Sequence, residues 1–202
     1  MSINLDDIYF EKLEKYVGKE LNIFKEKNEI KFYADVEIQY ILEEKDKIYS
    51  FYIVERGKRS KLAEYFSEKE MKQELALTIK GLFGEKIDYN ILEKCRNIKN
   101  LEEGKKLMDM YVESEYYSIM NPEAMKINLE NGEEEYRYSI YFLNNNEKKY
   151  IEKNIDVSFA FFRFCNEARS LKRSLKNMKE YEIIFEDKIE KRKLYGLIIH
   201  NI

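Results

Sequence analysis

Apolar residues fall at every second position in two stretches of the chain: Val36, Ile38 and Tyr40, then Met125, Ile127 and Leu129. Such alternation puts one face of a strand against a core. A polar stretch follows each, Glu43-Glu44-Lys45-Asp46 in one and Asn131-Gly132 in the other. Then comes a second apolar run, YSFYIV at 49–54 and YSIYFL at 138–143. Asn-Gly between alternating runs is a strong hairpin signal, because both residues tolerate positive φ. The pattern predicts two β-hairpins, each ending in a Tyr-Ser-apolar-Tyr strand.

The two stretches keep step over a longer span. Their offset, 138 − 49 = 89 residues, lays 36–54 on 125–143 without a gap. Leu62 and Phe66 then fall opposite Ile151 and Ile155, and Ser67 falls opposite Asp156. Ser and Asp are good N-caps, and Ser67-Glu68-Lys69-Glu70 forms a capping box. Behind the caps, Met71, Leu75, Ile79 and Leu82 match Ala160, Phe164, Ala168 and Leu171, each set one helical stripe. The spacing predicts a duplicated β-hairpin–strand–helix unit.

Residues 8–16, 87–97 and 101–112 have helical periodicity, the last capped by Asn100. Phe159, Phe161, Phe162 and Phe164 surround the start of one helix, which a sheet and the chain's last segment would bury. The tail, YEIIFED at 181–187 and KRKLYGLIIH at 191–200, reads as a further hairpin. The expected fold is α+β, with antiparallel sheet or sheets and helices packed on one side. The expected organisation is a first α+β unit over 1–84, a helical connector over 85–115 and a second unit with the extra hairpin over 116–202.

Composition narrows the function. The 202 residues are 44% hydrophobic and 37% charged, with a formal net charge of −3. That supports a core under a heavily charged surface, and it lacks the strongly basic balance of broad nucleic-acid binders. No apolar run approaches the roughly 20 residues that span a bilayer, and the N-terminus does not read as a secretory signal. A chain in the cytoplasm, without membrane contact, is expected. Two cysteines, Cys95 and Cys165, are too few for a disulfide framework and are expected to be reduced thiols.

Chemistry is sparse. The one histidine, His200, would have to serve any Ser-His or Cys-His mechanism. Two cysteines 70 residues apart and that histidine make no zinc-type ligand cluster. The seven glycines spell no phosphate-binding loop. The chain is expected to be no enzyme, with no catalytic residue, metal or cofactor.

Surface features suggest binding instead. Glu133-Glu134-Glu135 is an acidic hairpin shoulder suited to a basic partner. Tyr136 and Tyr138 beside it, with Tyr49, Tyr52 and Tyr141, offer contact area at low entropic cost. The basic run over 56–61, led by Arg56 and Arg59, reads as a loop that could meet phosphate. Lys172, Arg173, Lys176 and Lys179 form a second basic group on a helix.

Glu115-Tyr116-Tyr117-Ser118-Ile119, the aromatic strand 136–142, Glu55-Arg56-Gly57, Ser67-Glu68 and Glu167-Ala168 form a further pattern over roughly half the chain. In these motifs the chain resembles immunity proteins of bacterial polymorphic and contact-dependent toxin systems. The likeness is split between the two halves. Asn144-Asn145-Asn146 stands where the second half should carry Glu-Arg-Gly, and tyrosine replaces the family's tryptophan. The resemblance implies a non-catalytic protein that binds and neutralises a cognate bacterial toxin. The alternatives are a phage-type inhibitor or adaptor of a host nucleic-acid enzyme, and a small nucleic-acid-binding module. Candidate partner contacts are Glu133, Glu134, Glu135, Tyr136, Tyr138, Arg56 and Arg59.

Overall fold

The computed structural model describes residues 3, 5–35, 37–84, 89–144 and 146–189. Its elements run α1 (Asp7–Val17), β1 (Asn22–Lys25), β2 (Glu29–Tyr33), β3 (Ile38–Lys45), β4 (Ile48–Glu55), β5 (Lys58–Tyr65) and α2 (Glu68–Phe83). They continue with α3 (Tyr89–Arg96), α4 (Leu101–Tyr111), β6 (Tyr117–Ile119), β7 (Ile127–Asn131), β8 (Arg137–Asn144), β9 (Glu147–Asp156) and α5 (Val157–Phe185). The class is α+β, as expected. The sheets are β1-β2-β3-β4-β5 and β6-β7-β8-β9. All paired strands are antiparallel except β6 and β7, which run parallel.

Two compact units result. One comprises Met1–Glu85 with Lys179–Ile189, and the other contains Lys86–Met178. The helices expected as a separate connector, α3 and α4, belong to the second unit. In the first unit, Tyr40 stacks on Phe51 with ring centroids 6.0 Å apart and meets Phe83 of α2 edge-on at 5.8 Å. Ile30, Phe32 and Leu42 are buried in the same core. Asp6 caps α1 through the Tyr9 amide, and Ser67 caps α2 through the Glu70 amide. Each satisfies an amide that a helix start leaves without a partner.

Starts of four successive elements recur at the 89-residue spacing: 127 − 38, 137 − 48, 147 − 58 and 157 − 68 all equal 89. The recurrence is of order and spacing. It stops upstream, where β2 meets β3 antiparallel and β6 meets β7 parallel. The helix stripes differ too. Ala160, Phe164, Ala168 and Leu171 are all buried, whereas Leu82, after Met71, Leu75 and Ile79, is 40% exposed.

Several expectations change. The first hairpin does not turn over 43–46. Its ladder runs on to Lys45–Ile48, and Asp46-Lys47, both at positive φ, make the turn. The second ladder includes Asn131, and the Gly132 amide donates to the Arg137 carbonyl at 2.7 Å, so the chain reverses over 133–136. Strands β1 and β2, whose Ile30 and Phe32 alternate, were not anticipated.

YEIIFED is not a strand: α5 continues through Phe185. Its last turns complete the first unit. Tyr181 stacks on Phe185 at 4.4 Å, Phe185 meets Tyr9 and Tyr16, and the Gln73 amide donates to Asp187 at 2.7 Å. The other half of that expected hairpin, and His200, lie outside the described residues. Of the phenylalanines at the start of α5, Phe161 and Phe164 are buried but Phe159 is 43% exposed.

Gly104 on α4 abuts the fully buried Phe161 ring, and a Cβ there would stand 2.2 Å from its Cζ. Overpacking of this kind costs about 1–3 kcal/mol, against the ~1 kcal/mol that alanine gains over glycine in a helix. Gly104→Ala is therefore expected to lower unfolding free energy in urea. Unchanged or raised stability would refute the close contact.

Candidate protein-binding surface

Antiparallel pairing fixes which side chains share a face. Across the first sheet the registers align Phe24, Lys31, Ile41, Tyr52 and Lys61 in one row. A second row holds Asn22, Tyr33, Gln39, Val54 and Arg59, and a third holds Glu29, Glu43, Ser50 and Glu64. These rows lie opposite to Tyr40 and Phe51, because successive residues of a strand point to opposite sides. Phe24 is 54% exposed, and Tyr33, Tyr52, Gln39 and Val54 remain partly exposed.

Arg59 organises this face. Its guanidinium carbon sits 3.8 Å from the Tyr52 ring centroid. Its nitrogens reach Glu43 at 2.6 Å and Glu29 at 3.6 Å. Glu29 and Glu43 stand directly opposite each other in the ladder, an arrangement that like charge disfavours. Arg59 relieves it from one side, and Lys31 bonds Glu26 at 2.6 Å and Glu29 at 3.5 Å from the other. Lys61 pairs with Glu64 at 2.5 Å, which holds the Glu64 carboxyl below its ordinary range. The face is thus a fixed pattern of aromatic rings and neutralised charges.

The residues expected to bind divide between the units. Arg56 and Gly57 have φ of 49° and 78° and form the tight turn between β4 and β5. Hence the basic run over 56–61 is no loop: Lys58, Arg59 and Lys61 lie on a strand. Arg56 is exposed and contacts Glu37 at 3.3 Å. In the second unit Glu133, Glu134, Glu135 and Tyr136 are exposed in the reversal between β7 and β8, not on a strand shoulder. Tyr136 is 76% exposed at positive φ, and Glu134 accepts from the Asn154 amide at 3.0 Å.

Tyr138 departs from the expected surface position: it is buried, aligned with Ile155 on β9, unlike its exposed neighbours Tyr136 and Arg137. Tyr49 and Tyr141 are buried as well. Missed altogether were Glu29, Tyr33, Gln39, Glu43 and Val54. A two-residue Arg-Gly turn after an alternating run would have paired Val54 with Arg59 and revealed them.

On β7–β9 of the second unit, Glu130 accepts from Lys148 at 2.5 Å and from the Tyr150 hydroxyl at 2.9 Å. Lys148 also lies 4.6 Å from the Tyr141 ring centroid. Glu167, from the resemblance, is buried in α5. Burial pushes its carboxyl up, against the pull of Arg163 at 3.3 Å. A cleft of about 430 Å³ in the first unit is lined by Tyr9, Lys69, Lys72, Tyr181 and Phe185 among others. Both lysines are engaged, Lys69 with Asp187 at 3.1 Å and Lys72 with Glu68 at 2.6 Å. Among the described residues, no group of three or more His, Cys, Asp or Glu side chains could hold a metal ion. Among them, too, no helix is long and apolar enough to cross a membrane.

A comparison with protein-family models, curated proteins and solved structures finds no match for the chain.

The Glu130 pair carries a pH signature. Burial raises this carboxyl, but the hydrogen bonds from Lys148 and Tyr150 outweigh it and leave the group below its ordinary 4.5. A depressed carboxyl stabilises the fold above its unfolded value and loses that contribution as pH falls through the folded one. Glu130→Gln is expected to cost about 0.5–1 kcal/mol at pH 7. The gap from the unaltered protein should close as urea titrations move from pH 6 toward pH 3. A gap independent of pH would contradict the pairing.

Proposed function

We propose that the chain is a non-catalytic inhibitor that binds a cognate protein, most specifically an immunity protein that neutralises a bacterial toxin in the cytoplasm. One observation carries the reading: Tyr52 and Arg59, held against Glu43 on an open sheet face. Tyr and Arg are the residue types that dominate binding energy at protein interfaces. Here their geometry is set before any partner arrives, which lowers the entropy lost on association. Tyr33, Val54 and the exposed Phe24 extend the apolar contact around them.

The same network weakens the nucleic-acid reading. Arg59, Lys31 and Lys61 already face carboxylates, so a phosphate backbone would have to displace them. An inhibitor of a host nucleic-acid enzyme would use the same face, and only the partner's identity separates it from an immunity protein. The exposed acidic reversal at Glu133–Glu135 offers a second contact if that partner is basic.

The tagged chain is expected to retain one stoichiometric protein from its own cell lysate at moderate salt. Equimolar chain should abolish that protein's activity. Tyr52→Ala and Arg59→Ala should each weaken binding at least about tenfold, as truncating a hot spot does. Retention of nucleic acid alone, or a bound protein left fully active, would overturn the proposal.

A further inference from the structure

Asn131-Gly132 is the one Asn-Gly step in the chain, and it stands where β7 ends and the reversal to β8 begins. Neither residue has the positive φ that such a step permits. Glycine is needed at 132 for another reason, close approach. A Cβ there would stand 2.8 Å from Asn154 Oδ1 on β9 and 3.0 Å from Arg137 Cβ on β8, so a larger residue would have to push a strand aside. Asn131 is exposed and forms the last rung of the ladder, opposite Tyr138. The packing thus places an exposed Asn side chain ahead of a nitrogen that no Cβ shields.

We propose that Asn131 is a hydrolytic modification site, converted to aspartate and isoaspartate through a succinimide when the β7–β8 reversal opens. The Gly132 nitrogen gives up its proton and bonds to Asn131 Cγ. The Cγ–Nδ2 bond breaks, and Nδ2 takes the electron pair and a proton to leave as ammonia. One water then opens the five-membered imide. Cleavage between Cγ and the Gly132 nitrogen restores the peptide bond and gives aspartate. Cleavage between the Asn131 carbonyl carbon and that nitrogen routes the chain through Cγ and gives isoaspartate. One water is consumed for each ammonia released, and nothing is oxidised or reduced.

The closed reversal holds the reaction back. The Gly132 amide donates to the Arg137 carbonyl at 2.7 Å, so its nitrogen keeps its proton. The extended ψ of a strand residue turns the following nitrogen away from the residue's own Cγ. Rotation into reach breaks the rung between Asn131 and Tyr138. Opening is local, however. Residues 133–136 are all exposed, and Tyr136 sits at φ 61°, unfavourable for a bulky side chain. The Arg137 amide to the Glu134 carbonyl at 3.2 Å and the Asn154 side-chain amide to the Glu134 carboxylate at 3.0 Å tie the reversal down. A ladder end with so few buried contacts opens without global unfolding. Either product adds a negative charge beside Glu133, and isoaspartate also adds one carbon to the backbone at the end of β7.

The test incubates the folded full-length chain at mildly alkaline pH and follows Asn131 by peptide mapping, with an isoaspartyl methyltransferase to assay isoaspartate. Both products are expected, each with the mass gain of replacing NH by O. Their formation should be at least about tenfold slower than in the same chain unfolded in guanidinium chloride, because only the opened fraction reacts. Low denaturant should hardly change the folded-state rate, since a local opening exposes little surface. Glu134→Ala, which removes the acceptor for Asn154, should speed the folded-state reaction roughly fivefold, the opening that loss of one hydrogen bond allows. The unaltered chain decides the matter even if that variant folds poorly. Equal rates in the folded and unfolded chain, or a rate that rises only in step with global unfolding, would overturn the proposal.

Discussion

The aromatic cluster of Tyr40, Phe51 and Phe83 determines what the first unit presents to solvent. Tyr40 and Phe51 lie on paired strands and face α2, with the edge of Phe83 against Tyr40. A strand alternates with a period of two, so a residue fixed in the core fixes its neighbours outward. Phe51 inward means Tyr52 outward, and Ile53 inward means Val54 outward. The Arg56-Gly57 turn then returns β5 so that Arg59 lies beside Tyr52. A one-residue slip would bury Arg59 and expose Phe51, which is why the register is strongly specified. The face around Tyr52 and Arg59 is the necessary reverse of the core.

Completion of that core comes from far along the chain. Residues 179–189 supply Tyr181 and Phe185 to a ring cluster with Tyr9 and Tyr16, and Asp187 accepts from Gln73. Burying two aromatic side chains contributes on the order of 4 kcal/mol, a large share of an ordinary domain's stability. The first unit is therefore a product of both ends of the described chain. Helix α5 begins in one unit and ends in the other for this reason.

Much of this was legible in the sequence. The Tyr-Ser strands, the capping of α2 by Ser67 and of α5 by Asp156, and the Asn100 cap of α4 all follow from local rules. The strand expected between hairpin and helix is β5, but its start over 58–61 read as loop because an edge strand rich in Lys and Arg does not alternate in hydropathy. Charge on edges is how proteins discourage strand addition, so the feature that protects β5 also disguised where it begins. Residues 181–185 misled in the other direction. Ile183, Ile184 and the flanking aromatics favour a strand locally, but Tyr181 and Phe185 are one helical turn apart and stack against the first unit. Tyr138 misled because a tyrosine on a strand suits either face, and only the position of Ile140 and Phe142 in the core decides which.

The central claim is that the open face of the first sheet, around Tyr52 and Arg59, is where a protein partner docks. Hydrogen exchange of the chain, alone and bound to its captured partner, tests it most directly. Slowed exchange concentrated in β3, β4 and β5 is the predicted result. Protection confined to the reversal at 133–136, or to α5, with 38–65 unchanged, would contradict the claim.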